Sequence, residues 1–288
     1  MTGRRYRIAH VITRLELGGA QQNTLYCTEH HDRSRFEVDL LAGRGGVLDE
    51  EALRIPDARV ELMPCLRHPI SPAWDLTALL RLRRHFRERR IDLVHTHSSK
   101  AGILGRAAAV LAGVPVVVHT VHGWSFNPTQ TAMRRAAYAG LERLAARATD
   151  RLVTVSAVNR EEGLRRGIGD PTRYTVLHSG IEIDDFRAPP TPREDVRRAL
   201  GLEPEHRVVG TLACLKPQKA PVDFVRIAGR LHARDPRFRF LVAGDGELRP
   251  RVEAKIREAG LGGVVHLLGW RRDVVDLLHA MDLSLIHI

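Results

Sequence analysis

Lys216 and Lys219 stand in the loop of RVVGTLACLKPQKAPVDFVRIAG, residues 207–229, between an apolar run and a helix-forming one. Residues 208–212 are β-branched or apolar, interrupted by Gly210, as a short buried strand would be. Pro221 suits the first position of a helix, and Phe224, Val225, Ile227, Ala228 and Leu231 follow at helical spacing. Unpaired N–H groups at that helix start and two ammonium groups then converge on one spot. Such a spot suits an anion, most simply a phosphate. An ordinary strand-to-helix connection with two solvated lysines uses the same residues, so the pattern needs support from elsewhere in the chain.

Two further turns offer backbone rather than charge. Gly18 and Gly19 follow a strand expected at residues 6–12 and precede a helix expected at about 20–31, where paired glycines allow positive φ and close backbone approach. The G-x-G-x-x-G spacing of a dinucleotide fingerprint is absent. Gly244, Asp245 and Gly246 form a similar strand-to-helix junction, which a plain tight turn would also explain. Histidines supply the remaining chemistry: His95 and His97 end the strand-like IDLVHTH, and His122 follows the apolar residues 115–121. Each of them, and Ser156, falls at the carboxyl end of an expected strand, where doubly wound sheets carry function.

The elements that must position these residues alternate. Strands are expected at 36–42, 59–63, 91–97, 115–121, 151–156 and 174–177, with helices between them. Residues 75–90 read as a helix with Leu76, Leu79, Leu80 and Phe86 inward and Arg81, Arg84, Arg87, Arg89 and Arg90 outward. That basic face is solvated or rests on anionic lipid. After the Pro-rich stretch 188–192 a second alternation begins, with strands at 208–212, 238–243 and 264–268. The expected fold is α/β, two Rossmann-like doubly wound domains at 1–188 and 189–282, the second incomplete.

A 288-residue chain is long enough for two domains with cores of their own. Hydrophobic content of 43% and charged content of 27% describe a folded, water-soluble protein. The net charge of +11 is spread over both halves rather than gathered in a tail, and aromatics are only 5%, which argues against nucleic acid as partner. It leaves an anionic surface or a phosphate-bearing substrate. Cys27, Cys65 and Cys214 are odd in number and lack metal-ligand spacing, as expected of reduced thiols in a cytoplasmic protein. No apolar stretch is long enough to span a bilayer.

In order and spacing, the motifs together resemble a GT-B glycosyltransferase of the family-4 type, a group of retaining enzymes that use nucleotide-diphosphate sugars. They are Gly18-Gly19-Ala20-Gln21, His95-Thr96-His97, His122-Gly123, Val155-Ser156, residues 179–184, residues 215–220, Gly244-Asp245-Gly246 and Leu268-Gly269-Trp270. The resemblance implies that the Gly18-Gly19 backbone faces the donor diphosphate and that His122 lies beside the transferred sugar as the catalytic residue. It implies that Lys219, with Lys216, binds the diphosphate, and that Gly244, Asp245, Gly246, Trp270 and Arg271 line the nucleotide's wall. Beyond the donor no cofactor is implied, and the absence of an Asp-x-Asp pair agrees with metal independence. The implied acceptor is lipid-linked or a saccharide, with peripheral contact to the inner face of a membrane.

Two departures stand out. Cys214 occupies the position where the family usually has Arg, and Lys216 as a point charge lacks the bidentate fork. The family's Glu–seven residues–Glu motif would follow Leu283 and is not in the sequence. Residues 283–288 look like one frame of a transposase sequencing adapter. They are therefore expected to be a non-native tail on a C-terminally truncated, inactive chain. Two other functions fit the same architecture: a GT-B sugar-nucleotide epimerase, and a non-catalytic basic module that binds nucleotides or anionic surfaces.

Overall fold

Short apolar runs, each followed by a helix, assemble into two parallel sheets in the computed structural model, which describes residues 4–285. The first unit ends at Gly180. Its elements are β1 (Tyr6–Ile12), α1 (Gly19–Glu29), β2 (Phe36–Gly43), α2 (Asp49–Leu53), β3 (Ala58–Met63), α3 (Pro72–Glu88), β4 (Leu93–His97), α4 (Ser99–Ala112), β5 (Val116–Val121), α5 (Ala132–Ala146), β6 (Arg151–Thr154), α6 (Ala157–Arg165) and β7 (Tyr174–Val176). The sheet runs β3-β2-β1-β4-β5-β6-β7, all parallel. The strand order reverses between β1 and β4, so their carboxyl ends flank the switch point where such sheets hold ligands.

The helix α4 shows how the sequence sets this packing. Its small residues let it lie close on the sheet: a Cβ at Gly105 would stand 2.7 Å from Thr96 Cγ2, and one at Gly102 2.6 Å from the His119 ring. Arg106 on the same helix is fully buried and paired with Glu142 of α5 at 2.6 Å, tying the two helices together. Removing either partner would leave the other charge stranded in a dry site.

The second unit opens at Ile181 with α7 (Ile183–Arg187) and α8 (Arg193–Ala199). Next come β8 (Arg207–Leu212), α9 (Pro221–Arg234), β9 (Phe238–Ala243), α10 (Arg249–Glu258), β10 (Val265–Gly269), α11 (Val274–Ala280) and β11 (Leu283–Ser284). Its parallel sheet runs β10-β9-β8-β11. Its core lies on two sides, Phe224, Val225, Phe240 and Val252 on one and Val208, Leu241 and Leu277 on the other.

Two expectations are corrected. The chain divides after Gly180, not after residue 188. The His279 ring donates to the Phe186 carbonyl at 2.7 Å, so α7 is already fastened to α11 before the prolines are reached. On α3 the buried positions are Ala78, Leu82, His85 and Phe86, while Leu76 and Leu80 are exposed. Leucines on both flanks of the helix made two faces look alike, and packing against α4 selects one. Leu283 and Ser284, the first residues of the expected tail, form a parallel strand beside β8, in register with Val209 and Gly210. Leu285 continues it, donating its N–H to the Gly210 carbonyl at 2.7 Å and packing on the Val209 side of the core. The rest of the expected tail, residues 286–288, lies outside the described residues.

Candidate active site

In the first unit the candidate residues sit at strand ends, as the alternation requires. Gly18 caps α1 and Gly19 begins it. Neither uses the left-handed backbone that glycine allows: Gly18 has φ −169°, an extended conformation open to any residue. What the pair offers is bare space, because a Cβ at Gly19 would meet nothing within 4 Å. Thr13, just past β1, and Ser98, just past β4, share a hydrogen bond of 2.8 Å across the switch point, and Ser98 is held at φ +60°. Ser156 is the N-cap of α6, its hydroxyl accepting from Asn159 N–H at 3.2 Å, so a structural role accounts for it.

His122 follows β5 immediately and does not stand alone. Its Nε2 lies 3.1 Å from His97 Nδ1, His97 Nε2 lies 3.0 Å from His10 Nδ1, and His10 Nε2 lies 2.9 Å from His31 Nε2. His95, beside them, bonds through Nε2 to Thr120 Oγ1 at 2.7 Å. The other face of the sheet holds His119, whose Nδ1 meets Thr96 Oγ1 at 2.8 Å. His10, His95, His97 and Thr120 share one face because they pair across adjacent strands at matching positions, His10 with His95 and His97 with Thr120.

Burial governs the protonation of this group. It pushes His122 down to about 4 and, with the charges of His122 and His31, His95 down to about 3. His10 and His97 are held well below the ordinary imidazole value, first by burial and then by their histidine neighbours. All are therefore neutral at pH 7. Ligand atoms of His10, His95 and His97 lie within 4.8 Å of one another, close enough to gather round one cation. Both nitrogens of His10 and of His97 are, however, already spent on other histidines.

In the second unit three loops meet at the carboxyl edge of the sheet. Leu215 N–H donates to Asp245 O at 3.0 Å and Leu248 N–H to Leu215 O at 3.0 Å, locking the loop after β8 to the loop after β9. Gly244 N–H donates to Gly269 O at 2.7 Å, joining the loop after β10. The glycines here are obligatory. At φ +132° a Cβ on Gly244 would stand 2.1 Å from the Ala213 carbonyl oxygen. Asp245 accepts from Gly246 N–H at 2.7 Å and pairs with Arg249 at 2.9 Å, so it shapes the turn. Arg271 is held by Asp273 at 2.7 Å, and Trp270 leaves part of its indole exposed.

Lys216 and Lys219 bracket a 3₁₀ turn, Pro217–Lys219, and both are exposed. Neither ammonium makes an ion pair among the described residues. Ala220 follows at φ +45°, a left-handed value that costs a non-glycine residue energy, and α9 starts there with no side-chain cap. The structure thus gathers Lys216, Lys219, Gly244, Asp245, Gly246, Trp270 and Arg271 at the carboxyl edge of the second unit's sheet, and, within the first unit, Gly18, Gly19 and His122 at the carboxyl ends of its strands. A concavity of about 390 Å³ bordered by Arg5, Arg33, Glu37 and Asp57 lies at the opposite, amino-terminal end of the first sheet.

Sequence reasoning missed His10, His31 and His119, and the buried Asp39–His85–Arg89 cluster that joins β2 to α3. An inward histidine in a strand that otherwise reads apolar, as in RIAHVI, was the available signal.

A parallel seven-stranded sheet and a second parallel sheet, both with candidate residues at the carboxyl ends, make two Rossmann-like units, the architecture that the GT-B resemblance implies. Comparison with known proteins makes the class definite. A family model described as "Glycosyl transferase 4-like domain" matches residues 18–180, and one described as "Glycosyl transferases group 1" matches residues 192–287. The chain is 34% identical over 286 residues to the UDP-Gal:alpha-D-GlcNAc-diphosphoundecaprenol alpha-1,3-galactosyltransferase of Escherichia coli, spanning 98% of this chain and 73% of that one. The fold matches Anabaena Alr3699/HepE, solved with UDP and glucose, at a TM-score of 0.80 and 20% identity, covering 97% of this chain and 73% of that one. It also matches the sucrose-phosphate synthase of Thermosynechococcus elongatus at a TM-score of 0.78 and 17% identity, covering 97% and 75%. The chain belongs to the glycosyltransferase family, and its fold is GT-B.

Proposed function

We propose that the protein transfers a sugar from a UDP-sugar to a lipid-linked, diphosphate-bearing saccharide acceptor, with retention at the anomeric carbon. The observation that carries this reading is the 34% identity with the Escherichia coli galactosyltransferase across 98% of the chain, both units included. Family membership favours transfer over epimerisation, and the candidate residues suit it.

Breaking a glycosyl–phosphate bond builds negative charge on the departing diphosphate and positive charge on the sugar ring. Fixed cations and backbone N–H groups at the diphosphate stabilise that separation without reorganising during the reaction. We assign that role to Lys219 and Lys216 beside the uncapped start of α9. Trp270 and Arg271 are assigned to the nucleobase, and the residues 244–246 turn to the wall beside it. To Gly18, Gly19 and His122 we assign the phosphate and the transferred sugar. No cofactor beyond the donor is part of the proposal. A lipid-linked acceptor calls for a peripheral approach to an anionic membrane from the cytoplasmic side. Leu76 and Leu80, exposed beside Arg84 and Arg87, support that approach, and among the described residues no helix is long and apolar enough to cross the bilayer.

Calorimetric titration of UDP against wild type and Lys219→Ala tests the donor site. Loss of charge-assisted contacts worth about 1.5–3 kcal/mol weakens UDP about tenfold to a hundredfold. Equal affinities would reject the assignment of Lys219. Product analysis with UDP-galactose and a polyprenyl-diphosphate N-acetylglucosamine acceptor tests the reaction, and formation of a free epimerised sugar nucleotide without acceptor would replace the transferase reading.

A further inference from the structure

We propose that Trp124 is a positioning residue for the candidate active site: its indole, seated in a slot that Gly163 leaves open, fixes the backbone of His122 and Gly123 against α6. The proposal rests on the reading of His122 as the residue beside the transferred sugar.

Residues 122–131 run from the end of β5 to the start of α5. A connection of that length has many conformations unless side chains fasten it. His122 is held through its ring, whose Nε2 lies 3.1 Å from His97 Nδ1. That contact fixes the imidazole and leaves the chain beyond it free to turn. Gly123 adds no restraint, because it is exposed and a Cβ there would meet nothing within 4 Å. Trp124, two residues past His122, is the first anchor the loop has.

The slot is made by the absence of a side chain on α6. A Cβ at Gly163 would stand 2.5 Å from Trp124 Cζ2 and 2.5 Å from Tyr174 Oη. Tyr174 is itself fixed, its hydroxyl donating to the Ile168 carbonyl at 2.7 Å. Phe126 stacks on the indole, with ring centres 5.3 Å apart and planes 12° from parallel. Over the Phe126 ring lies the Arg166 guanidinium, 4.5 Å from its centre and held by Glu162 at 2.5 Å. An indole enclosed in this way has little rotamer freedom left.

One hydrogen bond orients it. Trp124 Nε1 donates to the Asn159 carbonyl at 2.8 Å, in the first turn of α6. An indole has a single N–H and no acceptor, so only one orientation of the ring makes this bond. The N–H of the same Asn159 donates to Ser156, the N-cap of α6, at 3.2 Å. His122-Gly123 and Val155-Ser156, separate in the sequence, are thereby coupled through one side chain. The far half of the loop has its own clasp: Gln130 donates to the Ser125 carbonyl at 2.9 Å and accepts from Asn127 N–H at 3.2 Å. Trp124 serves the half that carries His122. It acts through that backbone and not on the substrate. The rate of a group transfer depends on such placement, since a displacement of about 1 Å can cost about a hundredfold.

Two substitutions in the full chain test this. Trp124→Phe keeps a ring in the slot and loses the N–H, and Trp124→Ala empties the slot. With UDP-galactose and the polyprenyl-diphosphate N-acetylglucosamine acceptor, kcat falls about threefold to tenfold in Trp124→Phe and about thirtyfold or more in Trp124→Ala. The calorimetric affinity for UDP stays at the wild-type value in both. A purely structural role lowers the urea midpoint and leaves kcat of the folded protein unchanged, and that result overturns the proposal. Equal losses of kcat and of UDP affinity overturn it as well. Should Trp124→Ala fail to fold, Trp124→Phe decides, and wild-type kcat in that variant counts against the assignment. A second readout needs no turnover. In NMR of the histidine-labelled chain, the His122 signals, assigned by their loss in His122→Gln, shift in Trp124→Phe while those of His85 on α3 stay in place. Unmoved His122 signals overturn the positioning role. A wild type that makes no glycoside, with His122 signals that do shift, counts against the proposed function alone.

Discussion

Gly19 and Gly244 look alike in the sequence, each a glycine in a strand-to-helix turn, and they answer to different physics. Gly244 is demanded by the fold: its φ of +132° and the Ala213 carbonyl 2.1 Å from an added Cβ leave no room for a side chain. Gly244→Ala should cost about 2 kcal/mol or more, read as a lowered urea midpoint. Gly19 is helical, with open space where its Cβ would be. Gly19→Ala should leave the midpoint unchanged or slightly raised, because alanine favours the helix by up to about 1 kcal/mol. A fall in the Gly19→Ala midpoint matching that of Gly244→Ala would show that the two turns are alike after all. Cys214 lies in the loop just past β8, two residues before Lys216, so in the proposed donor site the diphosphate charge falls to the two lysines.

Among the elements, α3 carries the largest difference between expectation and fold. Leu76, Leu80, Arg84 and Arg87 follow one another at i, i+4, i+8 and i+11, one strip of the helix, with both leucines more than half exposed at 57% and 51%. Trp74 lies nearby, with the Arg67 guanidinium 4.0 Å from its ring centre. An apolar strip edged by arginine fits the boundary of an anionic bilayer. Co-sedimentation with vesicles containing phosphatidylglycerol should fall several-fold for Leu76→Glu with Leu80→Glu, and also for Arg87→Glu with Arg90→Glu. Unchanged binding in both double variants would remove α3 from any membrane role. The element's existence was legible from its composition; its orientation was not, because two leucine-bearing flanks compete and only the neighbouring α4 decides between them.

For the whole molecule, the buried histidines set the response to acid. The folded chain keeps His122 neutral down to about 4, whereas an unfolded histidine takes up a proton near 6.5. Below pH 6.5 the unfolded state therefore binds protons that the folded state refuses, and stability is lost as pH falls through that window. His10, His95, His97 and His119 act in the same direction. The urea midpoint should drop between pH 6.5 and 4, and a midpoint constant from pH 7 to 5 would contradict the burial. The sequence by itself determined the alternation of strand and helix, the two parallel sheets, the turns that carry Lys219 and Gly244, and the family. Those features are local: buried parallel strands read as apolar runs, and turns declare themselves by glycine, proline and charge. Only the tertiary structure decided that His10, His31, His97 and His122 form one file, that α3 turns Leu76 and Leu80 outward, and that the second unit begins at Ile181. Each of these depends on which segments become neighbours. A strand order that sets β1 beside β4, with two strands and three helices between them in sequence, leaves no trace in the spacing of either.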